Sequence, residues 1–97
     1  MSPTLVVTRH AGAVEWLRRK GFDGEVIDHL TEIPTGSTVV GVLPVVLVAQ
    51  LLRAGNSVYL IEFPARNGPR GQELTADEME ALGARLYRVA SCDLQEV

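Results

Sequence analysis

Short runs of apolar, mostly β-branched residues recur along the chain, and each run has the length of one strand. They occupy residues 4–8, 37–43 and 57–63, with a shorter run at 25–28. The runs at 4–8 and 37–43 show little alternation of apolar and polar positions, which is typical of strands that a parallel sheet buries on both faces. We therefore predict four strands from these runs.

Between the first two strands, the spacing of apolar residues changes to that of a helix. Ala13, Trp16 and Leu17 recur at helical intervals, with charged residues between and after them. Gly21 is well placed to end this helix as its C-terminal cap. Trp16 lies on the inner side of the helix, so we expect it in the hydrophobic core.

A second helix is predicted, in which Pro44 takes the first position and residues 45–54 follow. Gly55 ends it. Gln50 and Arg53 are its only polar side chains. A helix that is apolar nearly all round is buried on more than one side. We expect part of this helix to face a partner subunit, because a domain of this size has few other surfaces to cover it.

A third, short helix is predicted near the end of the chain. Thr75 and Glu78 have the spacing of a capping box, and Gly83 is placed to close the helix. Residues 86–97 are predicted to form a last strand. The alternative is that residues 87–89 extend the helix.

These elements follow the order β-α-β-β-α-β-α-β. Apolar strands that alternate with helices predict an α/β fold, with a mostly parallel sheet of about five strands and helices on both faces. A chain of 97 residues has the size of one domain, so we assign residues 1–97 to a single domain.

Composition and charge narrow the classes of function. A formal net charge of -3 argues against non-specific binding of duplex nucleic acid, which requires a basic face. Cys92 is the only cysteine, so neither an intramolecular disulfide nor a zinc site is supported. The apolar segment 39–52 is too short and interrupted to span a bilayer, and no signal peptide is recognisable. We expect a cytoplasmic protein with no membrane association, no metal site and no cofactor.

The strongest candidate site is the corner where the first strand meets the first helix. In open parallel sheets, ligands bind beyond the carboxyl ends of the strands, and here Thr8, Arg9 and His10 follow the first strand. The amides and dipole of a helix N-terminus near Gly12 favour an anion. Arg9 adds a bidentate phosphate donor, and His10 adds a side chain that titrates near neutral pH. The alternative is a solvated arginine and a histidine that packs locally.

Two further segments are candidates with weaker support. Gly41, in the apolar segment 41–44, marks close approach of a ligand or of another part of the backbone. The loop over residues 66–71 carries Arg66 and Arg70 among glycines and a proline, and such a loop suits phosphates. A charged loop that is simply solvated is the alternative.

Three segments resemble a small CRISPR-associated Csx family. Residues 7–16 resemble its opening VTRHxGAxEW motif, and residues 41–45 resemble its GxLPV segment. Residues 70–75, followed by residues 82–85, resemble the two parts of its third segment, RGxEL…LGAR. Order and spacing agree over nearly the whole chain, although the opening motif is the most specific of the three.

The resemblance implies a CARF-like Rossmann-type fold and a stand-alone ring nuclease of type III CRISPR systems. Such proteins act as homodimers on cyclic oligoadenylate second messengers, chiefly the tetra-adenylate, and thereby switch off the signalling. Cleavage needs no metal in principle, because the ribose 2′-hydroxyl can attack its own phosphate.

On this hypothesis Arg9 and Arg70 stabilise charge on the phosphoryl oxygens, and His10 acts as general acid or base. The residues predicted to bind the ligand are Thr8, Gly12, Gly41, Leu43, Pro44, Arg66 and Gly71. Two alternatives stay open: a sponge that sequesters the messenger without cutting it, and a dimerisation domain centred on the apolar second helix.

Overall fold

The computed structural model of the chain describes residues 3–64 and 74–97. Their elements follow the predicted order. The strands are β1 (Thr4–Val7), β2 (Glu25–Ile27), β3 (Thr38–Gly41), β4 (Ser57–Glu62) and β5 (Arg85–Arg88). The helices are α1 (Ala11–Arg19), α2 (Val45–Arg53) and α3 (Ala76–Ala81).

The strands form one five-stranded sheet in the order β2-β1-β3-β4-β5. The first four are parallel, and β5 runs antiparallel to β4. The prediction of an α/β fold with a mostly parallel sheet is therefore confirmed, and the arrangement is compatible with a Rossmann-like fold.

Alternate side chains of the central strands point to opposite faces of the sheet, and each face carries a helical layer. On one face, Val6 and Val40 pack with Trp16 of α1 and Met79 of α3. On the other face, the neighbouring strand residues, including Val7, pack against α2. Helices cover both faces, as predicted, and Trp16 is in the core with 1% of its surface exposed.

Several element ends differ from the predictions. Residues 8, 28, 42–43 and 63 were predicted as strand but lie beyond the observed ends of their strands. Apolar character continues past the strand ends at residues 42–43 and 63. Pro44 is the N-cap of α2, with extended backbone, and not its first helical residue. The capping box of Thr75 and Glu78 is confirmed by both of its hydrogen bonds. The last strand is confirmed only in part, because it covers Arg85–Arg88 whereas residues 89–97 form neither strand nor helix. The helical alternative for residues 87–89 is wrong.

Helix α2 is buried along one side only in the described chain. Val48, Ala49 and Leu51 are buried, whereas Val45 and Val46 are each 61% exposed. Together with Val42, they form an exposed surface that we call the α2 apolar patch. The expectation that a partner subunit covers this side of α2 stays a prediction.

Candidate functional site

The strand order places a change of direction between β1 and β3. After β1, the chain passes through α1 and returns as β2, which lies on one side of this point in the sheet. After β3, it passes through α2 and returns as β4, which lies on the opposite side. The two helices lie on opposite faces, so their N-termini diverge at the carboxyl edge of the sheet. In open α/β sheets, such a divergence creates a crevice, and ligands bind there.

Both helices that begin at this crevice lack a capping side chain. The N-caps are His10 for α1 and Pro44 for α2, and within residues 3–64 and 74–97 no side chain caps either helix. The first turns contain no acidic residue in either of these described helices. Helix α3 contrasts with them, because the Thr75 capping box satisfies its first amides. Unpaired first-turn amides and aligned peptide dipoles attract anions, so the crevice is suited to phosphate groups.

A local hydrogen-bond pattern shapes the corner between β1 and α1. The Thr8 amide donates to the Ile27 carbonyl oxygen at 3.1 Å, which continues the pairing with β2. The buried Thr8 hydroxyl oxygen then accepts from the His10 amide at 3.2 Å. Arg9 lies between these anchored residues with an exposed side chain, and among the described residues no hydrogen bond or ion pair engages it. Its guanidinium is therefore available to an anion in the crevice.

His10 reaches from the end of β1 to the end of β4. Its ring lies edge-on to Phe63, with the ring centroids 5.7 Å apart. Phe63 follows the last residue of β4 and is 37% exposed, so part of its ring is open to solvent. Phe63 was predicted as part of a strand and not as a residue of the functional site. The sequence signal for a role in the site was the position of Phe63 at the end of an apolar run, because such positions line the carboxyl edge of a parallel sheet.

The two glycines among the described candidate residues are both crowded by backbone. A Cβ at Gly41, whose φ is +145°, would clash with the carbonyl oxygen of Val7. A Cβ at Gly12 would clash with the carbonyl oxygen of Leu74, next to the start of α3. Close packing therefore explains both glycines, as the sequence allowed for Gly41. Ligand contacts by their backbones stay predictions.

The remaining candidates divide into two groups. Leu43 is half-buried and packs against the α2 side of the core, whereas Pro44 is exposed at the crevice. Arg66, Arg70 and Gly71 lie outside the described residues. The structure thus brings together the predicted residues of the two strand ends at 8–12 and 41–44.

A cluster of charged and aromatic side chains ties the C-terminal half of α1 to α3. The indole Nε1 of buried Trp16 donates to Glu80 at 2.7 Å, and the Lys20 ammonium binds the same carboxylate at 3.0 Å. These contacts, the Lys20 hydrogen bond first, lower the pKa of Glu80. Arg19 donates to Asp77 at 2.7 Å, which raises the pKa of Arg19. The cluster supports the first helix from which the candidate site is built.

The described residues also bear on metal binding and on membrane-spanning helices. No group of three or more His, Cys, Asp and Glu side chains in 3–64 and 74–97 is arranged to hold a metal ion. No helix in those ranges is long and apolar enough to cross a membrane.

The fold and the crevice define a small α/β protein with a candidate anion-binding corner at the switch point of its sheet. The family model "Putative CRISPR-associated protein (Cas_VVA1548)" matches residues 5–91, so the chain belongs to this CRISPR-associated family. Comparison with curated proteins and with solved structures gave no significant match.

Proposed function

We propose that this protein is a ring nuclease that binds and cleaves cyclic oligoadenylate, in particular the cyclic tetra-adenylate. The observation that carries the proposal is that two helix N-termini without a capping side chain border one crevice, together with Arg9, which has no partner among residues 3–64 and 74–97. Such a crevice suits a ligand with several phosphates. Membership of a CRISPR-associated family makes a CRISPR second messenger the natural candidate for that ligand.

The symmetry of the ligand favours a homodimer. Cyclic tetra-adenylate is two-fold symmetric and carries four phosphates, so two copies of one corner match it better than one copy does. The α2 apolar patch of Val42, Val45 and Val46 borders the N-terminus of α2. A second copy packed on this patch would bring its own crevice close to the same ring and would cover exposed apolar surface.

The proposed reaction uses only groups of the ligand as reactants. The ribose 2′-oxygen attacks the adjacent phosphorus, an O2′–P bond forms and the P–O5′ bond breaks. The products end in a 2′,3′-cyclic phosphate and a 5′-hydroxyl. The proton lost by the 2′-hydroxyl balances the proton gained by the 5′-oxygen, so no co-reactant is required.

The protein contributes alignment, charge and proton transfer to this reaction. Arg9 and the first-turn amides of α1 hold the phosphate and stabilise charge on its oxygens as the attack proceeds. His10 lies next to Arg9 and beside Phe63. We propose that it acts as general acid or base, a role that contributes about 10²- to 10⁴-fold. Arg70 is proposed as a second phosphate ligand from the sequence alone.

Single-turnover incubation with labelled cyclic tetra-adenylate, in the presence of EDTA, tests the proposal. The wild-type protein should cut the ring, Arg9→Ala should bind it weakly, and His10→Ala should bind it but cut about 10²-fold more slowly or worse. Arg88→Ala is the matched control, because Arg88 is an exposed arginine on β5, remote from the crevice in the strand order. An intact ring in a stable wild-type complex would identify a sponge and overturn the nuclease proposal.

A further inference from the structure

A groove of about 430 Å³ lies beside α1, at the carboxyl ends of β1 and β2. Thr8 and Arg9, which follow β1, line it on one side, and Val14 lines it from α1. Val26 of β2 and Asp28, which follows β2, line the other side. This volume falls within the range of small-molecule sites, about 300–1,000 Å³. The groove opens next to the anion-binding corner and extends away from it, toward the edge of the sheet.

The floor of the groove is apolar. Val26 pairs in register with Val6, so both side chains point to the face of the sheet that α1 covers. Val6 is buried, but Val26 is 46% exposed because β2 is the edge strand. Val14 is half-buried on the neighbouring side of α1. Two partly exposed valines provide a surface on which a planar base can lie.

The charges at the rim of the groove separate into paired and unpaired groups. Arg18 and Glu15 form an ion pair at 3.0 Å, and Arg18 also contacts Asp23 at 3.4 Å. Arg9 and Asp28 have no hydrogen-bond or ion-pair partner in the part of the chain that the structure describes. The groove therefore presents an available cation at its phosphate end and an available carboxylate at its other end.

We propose that this groove binds one ribonucleoside unit of the ligand. The phosphate lies at Arg9 and the first turn of α1, the base lies on Val14 and Val26, and the Asp28 carboxylate accepts a hydrogen bond from the ribose 2′-hydroxyl. An acidic residue at the end of the second strand plays this part in open α/β sheets that hold a phosphate after the first strand. The choice of adenine as the base rests on the proposed function, whereas the ribose contact rests on the groove itself.

Titration of the ¹⁵N-labelled protein with adenosine 5′-monophosphate tests this subsite, with 2′-deoxyadenosine 5′-monophosphate and inorganic phosphate as comparison probes. All three should shift the first-turn amides of α1. Both nucleotides should also shift the amide of Val26, which contacts the base, and only the ribonucleotide should strongly shift the amide of Asp28. Asp28→Asn should weaken ribonucleotide binding about 10-fold or more, because hydrogen bonds to charged groups are the stronger ones, and should leave phosphate binding unchanged. Asp93→Asn, which makes the same change in the exposed C-terminal segment, is the control.

Equal shifts at Asp28 from the ribo- and deoxyribonucleotides would overturn the proposal, and so would the absence of a shift at Val26 with both nucleotides. So would an unchanged affinity of Asp28→Asn for the ribonucleotide. Failure of the proposed function would look different, because cyclic tetra-adenylate would stay intact while the ribose-dependent shifts persisted. Failure of the subsite alone would leave ring cleavage unaffected by Asp28→Asn.

Discussion

The imidazole of His10 packs edge-on against the ring of Phe63, at an interplanar angle of 73°. His10 follows β1 and Phe63 follows β4, and these strands are separated in the sheet by β3. The contact therefore spans the carboxyl edge of the sheet and fixes one side of the candidate site. An edge-on aromatic pair contributes about 0.5–1.5 kcal/mol beyond its buried area.

Replacing Phe63 should impair the site more than the fold. Phe63→Leu keeps an apolar side chain but removes the ring that orients His10, so we expect single-turnover cleavage of cyclic tetra-adenylate to slow about 10-fold. The unfolding free energy should fall by only about 1 kcal/mol. Phe63→Tyr, which keeps the ring, should retain most of the rate. Equal rates for Phe63→Leu and the wild type would show that the aromatic pair does not position His10.

A charge placed in the α2 apolar patch should separate the proposed dimer. Val46 is 61% exposed, so Val46→Asp costs the folded subunit little but buries an unpaired carboxylate in any interface formed there. Sedimentation velocity should show a dimer for the wild type and a monomer for the variant, and ring cleavage should fall with it. Leu82→Asp, at an exposed residue after α3, serves as the control. A variant that remains dimeric would place the interface elsewhere.

Substitution of Gly41 should test the close approach of β1 and β3. Gly41→Ala adds a methyl group where the Val7 carbonyl oxygen already lies, at a positive φ, so we expect a loss of about 3 kcal/mol or more. Gly36 also has a positive φ, but open space surrounds its Cβ position, and Gly36→Ala should cost only about 1–2 kcal/mol. Urea unfolding followed by circular dichroism measures both. Equal losses would mean that backbone crowding contributes nothing.

The cluster around Glu80 predicts a defined dependence of stability on pH. Hydrogen bonds from Lys20 and then Trp16 lower the pKa of Glu80 below its ordinary value of 4.5. The ionised carboxylate therefore stabilises the fold above that value, and this contribution is lost as the pH falls through the lowered pKa. In urea unfolding followed by circular dichroism, Glu80→Gln should be less stable than the wild type at pH 7. The difference should shrink on acidification.

An exposed glutamate provides the control for this comparison. Glu96→Gln makes the same chemical change in the C-terminal segment and should track the wild type at every pH. A deficit of Glu80→Gln that stayed constant through acid pH would indicate lost packing and not a lost charge.

The sequence alone determined which segments form strands and helices and the order in which they occur. Apolar runs marked β1, β3 and β4, helical spacing placed Trp16 in the core, and the Thr75 and Glu78 capping box started α3. These features depend on local chemistry and on periodicity, which neighbouring residues reveal. The strand ends were predicted too long because apolar character continues past the last paired residue, as at Phe63.

Only the tertiary structure decided the strand order, the antiparallel direction of β5 and the convergence of residues at the crevice. Pairing joins segments far apart in the chain, and no local pattern specifies which strand lies beside which. The position of the corner at Thr8, Arg9 and His10, between a strand end and a helix, was therefore predictable, whereas anion binding there stays a prediction. Its position at the switch point, beside Phe63 and the uncapped start of α2, follows from the long-range pairing of β1 with β3 and of β3 with β4.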